Sequence, residues 1–434
     1  MRLERLGPGE VELIGPAAAA ERLRALVPGG FAVQEQVREI IERVRDGGDQ
    51  AVVHYTSTFD SPGAEPRPLR VAAEELDEAI VAMPRELIAG LQVAIANVAL
   101  VAEAGVGHDV NVELPQGQRV VLREVPVASA AVYVPGGRAP YPSTVVMGVV
   151  TARAAGVVDV AVCSPPGPDG QIDPVILGTC RLCGIERVYR MGGAQAIAAL
   201  ALGTATVDRV DVIVGPGNLY VQEAKHQLST LVGIDGFAGP SDLLVVLGAD
   251  CGANELRLAA LDMLAQAEHG EGSLVVAVSC SAAACEELAA VLEELIVERP
   301  TVGEAAFAIA HVASPSEALA LANAFAPEHL QLIGADVEAL APIVRSAGCV
   351  FIGIESATAF GDYVAGSNHV LPTDGAARFA STLSPRHFRR RMSEVRIGAA
   401  AGRLAAAGAP VARAEGFEVH AESMEARIVE NPGT

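Results

Sequence analysis

Short β-branched runs, each closed by a Gly/Pro loop and followed by an apolar stretch with helical spacing, recur through most of this chain. From about residue 131 they read AAVYVPGG, VAVCSPPG, RVYRMGG and DVIVGPGN. After AGPSD at 238–242 they resume as LLVVL, SLVVAVS, AFAIAHV, HLQLIG and CVFIG, separated by expected helices at 252–269, 281–296, 315–325 and 336–346. That alternation is the signature of βαβ units in parallel sheets. The expected fold class is α/β: two Rossmann-like parallel α/β domains, with small N-terminal and C-terminal extensions.

The flanks carry less signal. Residues 1–34 form a polar, Ala/Pro/Gly-rich lead-in, followed by two helices divided at Gly47-Gly48. Further amphipathic helices are expected at 73–81 and 84–106, after which QRVVLREVPVASAAVYV alternates toward strand. The Ala/Gly/Pro-rich stretch 398–412 reads as a tether for a C-terminal segment.

With 434 residues the chain is long enough for two or three domains. A formal charge of −22 argues against a nucleic-acid or anionic-membrane partner, since both demand clustered Lys and Arg. The basic cluster His387-Phe388-Arg389-Arg390-Arg391 reads as a solvated helix face. Lys225 is the only lysine, so Schiff-base chemistry would have to use it. Seven cysteines, at 163, 180, 183, 251, 280, 285 and 349, are scattered without a framework, and no charged-then-apolar leader is seen; this reads as free thiols in a reducing cytoplasm. Cys180 and Cys183 have redox-motif spacing but read as core packing. No apolar run is expected to reach the roughly 20 residues that span a bilayer.

The densest chemistry lies in LAQAEHGEGS at 264–273. Gln266 and His269 are three residues apart, which puts both on one face of a helix, where an oxygen and an imidazole can share a metal ion. Three more polar islands follow: Glu328-His329 leading into a strand, Gly361-Asp362-Tyr363 with Gly366-Ser367-Asn368-His369, and Glu415 through His420. Gln266, His269, Asp362 and His420 make an N2O2 set suited to Zn, Co or Mn in a catalytic site; spacing alone leaves open that they are unrelated surface groups. Glu328-His329 reads as an acid/base pair, with an exposed charge beside a packed ring as the commoner alternative. Tyr133, Gln195 and Asn218 lie in or just after loops that converge at the carboxyl edge of a parallel sheet, where ligands bind. Those Gly-rich loops suit a nucleotide phosphate or are ordinary strand-to-helix turns, as neither G-x-G-x-x-G nor a P-loop is present. Ser241 reads as a turn and helix cap.

Eight stretches, in order and spacing, resemble the histidinol dehydrogenase family: YVPGGRAPYPSTVVM, MGGAQAIAAL, VGPGNLYVQEAK, AGPSD, LAQAEHG, APEHL, GDYVAGSNHVLPT and AEGFEVHA. The family oxidises L-histidinol to L-histidine in two steps with two NAD, using zinc, at the end of histidine biosynthesis. The resemblance implies one zinc per subunit, held by Gln266, His269, Asp362 and His420, and a catalytic pair, Glu328 and His329. It implies NAD contacts from Tyr133, Gln195 and Asn218. Substrate contacts are implied for Ser241, Gln266, His269, His329, Asp362, Glu415 and His420. The implied division is an N-terminal extension (1–24), a first α/β domain with the metal and catalytic residues (25–132 and 241–383), an NAD-binding second domain (133–240), and a tail (384–434) that crosses to the partner of a homodimer and completes its site. Residues 60–120 match loosely, Asp242 stands where Glu is commoner, and STLSPRHFRRRM departs from the family wording. A superfamily enzyme acting on another alcohol, of the sulfopropanediol type, and a non-catalytic metal-binding homologue are the competing readings. A carboxylate at Glu415 suits a cationic substrate and would repel a sulfonate, and the Glu328-His329 pair has no use in a pure binder.

Overall fold

The computed structural model describes residues 2–428 apart from 8, 28–32, 137–138, 237–238, 271 and 303–304. Gly137 and Arg138 of the YVPGGRAPYPS stretch, Ala238 of AGPSD and Glu271 of LAQAEHGEGS thus lie outside the described residues. The chain divides into two units, one of Met1–Gly105 and Ala128–Phe388, the other of Val106–Val127 and Arg389–Thr434.

The first unit contains two sheets, both wholly parallel, as the alternation of runs and helices indicates. One has six strands in the order Arg2–Leu6, Ala306–His311, Leu274–Ser279, Asp242–Leu247, His329–Ile333, Cys349–Ile352. The other has five, in the order Arg187–Arg190, Asp159–Ser164, Ser129–Tyr133, Val212–Val214, Gly233–Ile234. Continuous apolar strands such as LLVVL and LVVAV are buried along their whole length because helices cover both faces. Asp242–Leu247 sends alternate side chains into two different cores, Leu243, Val245 and Leu247 into one and Leu244 and Val246 into the other.

Several elements differ from the sequence expectation. The lead-in is part of the fold: Arg2–Leu6 forms an edge strand beside Ala306–His311, and the helix Pro16–Arg24 buries Ala19, Ala20 and Leu23 in the same core as Phe325. A short edge strand pairs on one side only, so its polar alternation hides it. The helix Gln34–Phe59 is continuous by hydrogen bonding yet kinks at Gly48, whose φ of 53° and ψ of −136° only glycine adopts freely. Ser241 caps no helix; it immediately precedes the strand Asp242–Leu247. The expected helix at 336–346 shrinks to one turn, Ala335–Glu338, and a 3-10 turn, Ala341–Ile343, because Pro342 cannot continue an α-helix.

The helix Arg85–Ala104 is long and apolar enough, by length and composition, to cross a membrane, correcting the expectation that no run reaches that length. Its charges, Arg85, Glu86 and Glu103, sit only at its ends. It packs Leu91, Ala94 and Val98 against Val146, Met147 and Val150.

The second unit is built on an antiparallel sheet of Arg389–Arg396, Arg119–Pro126 and Val110–Glu113. The basic cluster therefore lies largely on a strand and not on a helix face. Arg391 Nε donates to Glu124 Oε1 at 2.7 Å, an acidic partner that lies far away in sequence and leaves no local trace. Nor is 398–412 a tether: its alanines form the helix Ala401–Ala414, Pro410 notwithstanding, and Ala409 and Ala412 pack on Ala421 and Met424 of the helix Glu418–Glu425.

Helix Pro142–Ala154 approaches the strand Ser129–Tyr133 so closely at Gly148 that a Cβ there would lie 2.5 Å from Val132 Cγ1. Gly148→Ala is expected to lower stability by about 1–3 kcal/mol through overpacking, read as a lower urea midpoint. An unchanged midpoint would contradict this contact.

Candidate active site

Two clusters of polar residues form on the first unit. The one nearest the Gly-rich loops gathers at the carboxyl ends of the five-stranded sheet. Tyr133 ends its strand, and its buried hydroxyl accepts the Gly193 N–H at 3.2 Å. Gln195, buried in the first turn of the helix Gly193–Leu202, donates from Nε2 to Asp60 Oδ2 at 3.3 Å. Asn218 caps the helix Leu219–Leu228, its Oδ1 accepting from the N–H groups of Tyr220 and Val221 at 3.1 and 3.2 Å. In the preceding loop a Cβ on Gly215 would lie 2.1 Å from the Tyr133 carbonyl oxygen, so only glycine fits there, and its N–H donates to Asp235 Oδ2 at 2.6 Å. Lys225 is fully buried and ties the same loop together, donating to the Gly215 carbonyl and, at 2.7 Å, to Asp235 Oδ1. Two helix N-termini thus lie at one sheet edge, an arrangement that attracts phosphate.

The second cluster lies at the opposite, amino edge of the six-stranded sheet. Asp242 and His329 are the first residues of adjacent parallel strands, and Ser241 and Glu328 stand immediately before them. The helix Ala253–Ala267 runs back toward this edge and delivers Gln266, whose Nε2 donates to Ser241 Oγ at 2.6 Å. His269 follows just beyond that helix, with Nδ1 3.2 Å from the Gln266 carbonyl. Ser241 Oγ in turn donates to Glu328 Oε2 at 2.5 Å, as does the Asp242 N–H at 3.0 Å. His329 lies between two acids: Nε2 is 3.4 Å from Asp362 Oδ1 and Nδ1 is 3.8 Å from Glu328 Oε2. Nδ1 has no hydrogen-bond partner, and Phe351 packs by the ring at 5.8 Å.

The clusters adjoin through His369. Its Nδ1 lies 2.9 Å from the Asp362 carbonyl oxygen, and its Nε2 is 3.3 Å from Thr144 Oγ1, on the helix that follows the Tyr133 loop. Ser241, Gln266, His269, Glu328, His329 and Asp362 are therefore brought into one group, and Tyr133, Gln195 and Asn218 into another. Glu415 and His420 belong to the second unit, exposed at the end of the helix Ala401–Ala414 and on the helix Glu418–Glu425.

Burial sets the electrostatics. It pushes Glu328 up to about 7, against the pull of the His329 charge and of hydrogen bonds from Ser241 and Asp242. Burial also draws His329 down, but the carboxylates of Glu328 and Asp362 outweigh it and hold the imidazole up at about 9. Asp362 is raised by burial, yet the His329 hydrogen bond and the charges of His329, His369 and His269 keep it below the ordinary carboxylate range. Among the described residues no three His, Cys, Asp or Glu side chains group as a metal site on their own. The expected set has only His269 and Asp362 of those types on this unit, the third donor being the Gln266 amide.

The histidinol dehydrogenase family model matches residues 30–428. A histidinol dehydrogenase from Gluconobacter oxydans is 42% identical over 407 residues, covering 92% of this chain and 94% of the relative. One from a Synechococcus strain is 43% identical over 401 residues, covering 91% and 92%. The crystal structure of histidinol dehydrogenase from Elizabethkingia anophelis superposes with a TM-score of 0.90 at 30% identity, covering 99% of this chain and 98% of that one.

The chain belongs to the histidinol dehydrogenase family. It is an enzyme, and an oxidoreductase. Beside the two clusters the fold also places four residues that the sequence did not single out. His369 was legible only as part of a polar island, Asp242 only as a departure from family wording, and Asp60 and Arg24 gave no signal beyond closing helices. The partners of Asp60, Asp242 and Arg24 are remote in sequence.

The charge cluster carries a stability signature. Folded His329 keeps its proton to about pH 9, whereas the unfolded chain releases it near 6.5, so its contribution is complete below 6.5 and is lost as pH rises through 9. In chelator-treated protein the urea midpoint is expected to fall between pH 6.5 and 9, and His329→Gln to flatten that fall. An equally steep fall in the variant would place the titration elsewhere.

Proposed function

We propose that this chain is a zinc-dependent histidinol dehydrogenase that oxidises L-histidinol through L-histidinaldehyde to L-histidine with two NAD, at the end of histidine biosynthesis. The observation that carries the reading is the amino-edge cluster, where a buried Glu-His pair faces Asp362, Gln266 and His269. Full-length similarity to histidinol dehydrogenases supports the substrate.

The residues fit both groups that the reaction needs. Gln266, His269 and Asp362 offer an amide oxygen, an imidazole and a carboxylate, a donor set suited to zinc, and His420 would be the fourth. Tyr133, Gln195 and Asn218, at the carboxyl edge beside two helix N-termini, suit NAD. When bound, zinc orients the amino alcohol and NAD accepts the hydride.

The chain's own groups do the proton chemistry. His329 Nε2, on the Asp362 side, takes the hydroxyl proton as hydride leaves the alcohol carbon. Asp362 would be one of the zinc ligands, and a cation there would release its hold on the His329 proton and let the imidazole act as a base near neutral pH. Glu328, poised near 7 by burial, takes a proton from the water that adds to the aldehyde, and the hydrate then loses the second hydride. The cysteines support neither a thiol nucleophile nor a disulfide: all seven are free, and burial raises every one. Free thiols also support a reducing, cytoplasmic setting. Glu415 and His420, exposed on the second unit, suit residues that complete the site of a partner copy in a homodimer with shared active sites.

Purified protein supplied with L-histidinol and NAD is expected to form two NADH per histidinol, to lose that activity with chelator and to regain it with zinc. Oxidation of a different alcohol alone, such as a sulfonated diol, or silence on both, would contradict the assignment.

A further inference from the structure

The buried carboxylate Asp242 stands between Glu328 and the one arginine that reaches this edge from the N-terminal helix Pro16–Arg24. Asp242 Oδ1 accepts the Glu328 N–H at 2.7 Å, and its other oxygen, Oδ2, accepts from Arg24 Nη1 at 3.1 Å. The second guanidinium nitrogen, Nη2, donates to the carbonyls of Phe325 and Ala326, and the guanidinium carbon lies 4.0 Å from the centre of the Phe325 ring. Ala326 is fully buried and has a φ of 50°, a left-handed conformation unusual for alanine, and it is two residues from Glu328. One planar, five-donor fork therefore holds both the carboxylate that fixes the Glu328 backbone and the bend that leads into Glu328, while His329 is held by its own pairing with Leu243 and Cys349 in the sheet.

We propose that Arg24 is the positioning residue of the Glu328 carboxylate, acting through Asp242 and the Phe325-Ala326 carbonyls without touching substrate. The inference rests on the functional reading above, in which Glu328 acts on water only in the second oxidation. Loss of Arg24 leaves Asp242 buried without its partner cation and lets the Ala326 bend relax. The hydration step, which needs Glu328 in register, then suffers more than alcohol–aldehyde interconversion, which uses His329. An ångström of misplacement is enough to cost such a step one to two orders of magnitude.

L-histidinaldehyde separates the two halves. With NAD and water it gives L-histidine, NADH and two protons, the half that needs Glu328. With NADH and a proton it gives L-histidinol and NAD, the half that does not. In the zinc-loaded enzyme, Arg24→Gln is expected to slow the oxidation about tenfold or more at saturating substrate while changing the reduction about twofold at most, with KM for NAD unchanged. Arg24→Lys keeps the charge but not the fork, and is expected to restore the oxidation only in part. Should Arg24→Gln fail to fold, Arg24→Lys alone carries the comparison. Equal loss in both halves would make Arg24 a purely structural support and overturn the proposal, as would unimpaired oxidation. Wild-type protein silent on histidinaldehyde in both directions would instead overturn the functional reading, and this proposal with it.

Discussion

Asp242 and Glu328, buried, and Asp362, partly buried, surround His329, and the energetics of the first unit turn on keeping these three carboxylates compatible. Isolated buried charges are too costly to persist, so each must be neutralised, paired or hydrogen-bonded. All three solutions occur together. Glu328 is pushed up to about 7 and so sits near its protonation point, Asp242 has Arg24, and Asp362 has the imidazoles. The result is a base of near-neutral pKa beside a histidine, which is what a proton-transfer site at physiological pH requires.

The same constraint accounts for where this site lies. In a parallel sheet the crevice at the carboxyl ends, where strand order reverses, is the usual place for a ligand. In the six-stranded sheet that reversal falls between Asp242–Leu247 and His329–Ile333, but the crevice is closed. A Cβ on Gly248 would lie 2.2 Å from Asp336 Oδ1 and 3.1 Å from the Gly334 Cα, and Asp336 also accepts the Ala249 N–H. The amino ends of the same two strands are open to chemistry instead, because the helix Ala253–Ala267 returns Gln266 and His269 to them. The five-stranded sheet keeps the usual arrangement, with Tyr133, Gln195 and Asn218 at its carboxyl edge. Opposite edges of two sheets thus meet through Thr144, His369 and Asp362.

How much of this was legible follows from how local each signal is. Runs such as LLVVL and RVYRMGG announce parallel strands because their burial is total and their loops are glycine-rich, so both sheets were legible. The helix that carries Gln266 was legible as well, although it ends at Ala267 and His269 lies beyond it. What stayed hidden depends on partners distant in the chain. Arg2–Leu6 is a strand only because Ala306–His311 lies beside it, and Arg389–Arg396 only because Arg119–Pro126 pairs with it. Arg24 gains meaning only next to Asp242, 218 positions away. Residues 401–414 were misjudged for a different reason: Gly and Pro among alanines weaken a helix in isolation, but packing against Glu418–Glu425 outweighs that cost.

The central claim is that Glu328 and His329 divide the work, His329 serving the alcohol and Glu328 the water. Glu328→Gln tests it most directly, since the amide preserves shape while removing the base. With L-histidinol and excess NAD in a single turnover, the account predicts one NADH per active site at near the wild-type rate, followed by accumulation of the aldehyde. Two NADH formed at wild-type rates, or loss of the first hydride transfer in a variant that still binds zinc and NAD, would contradict it.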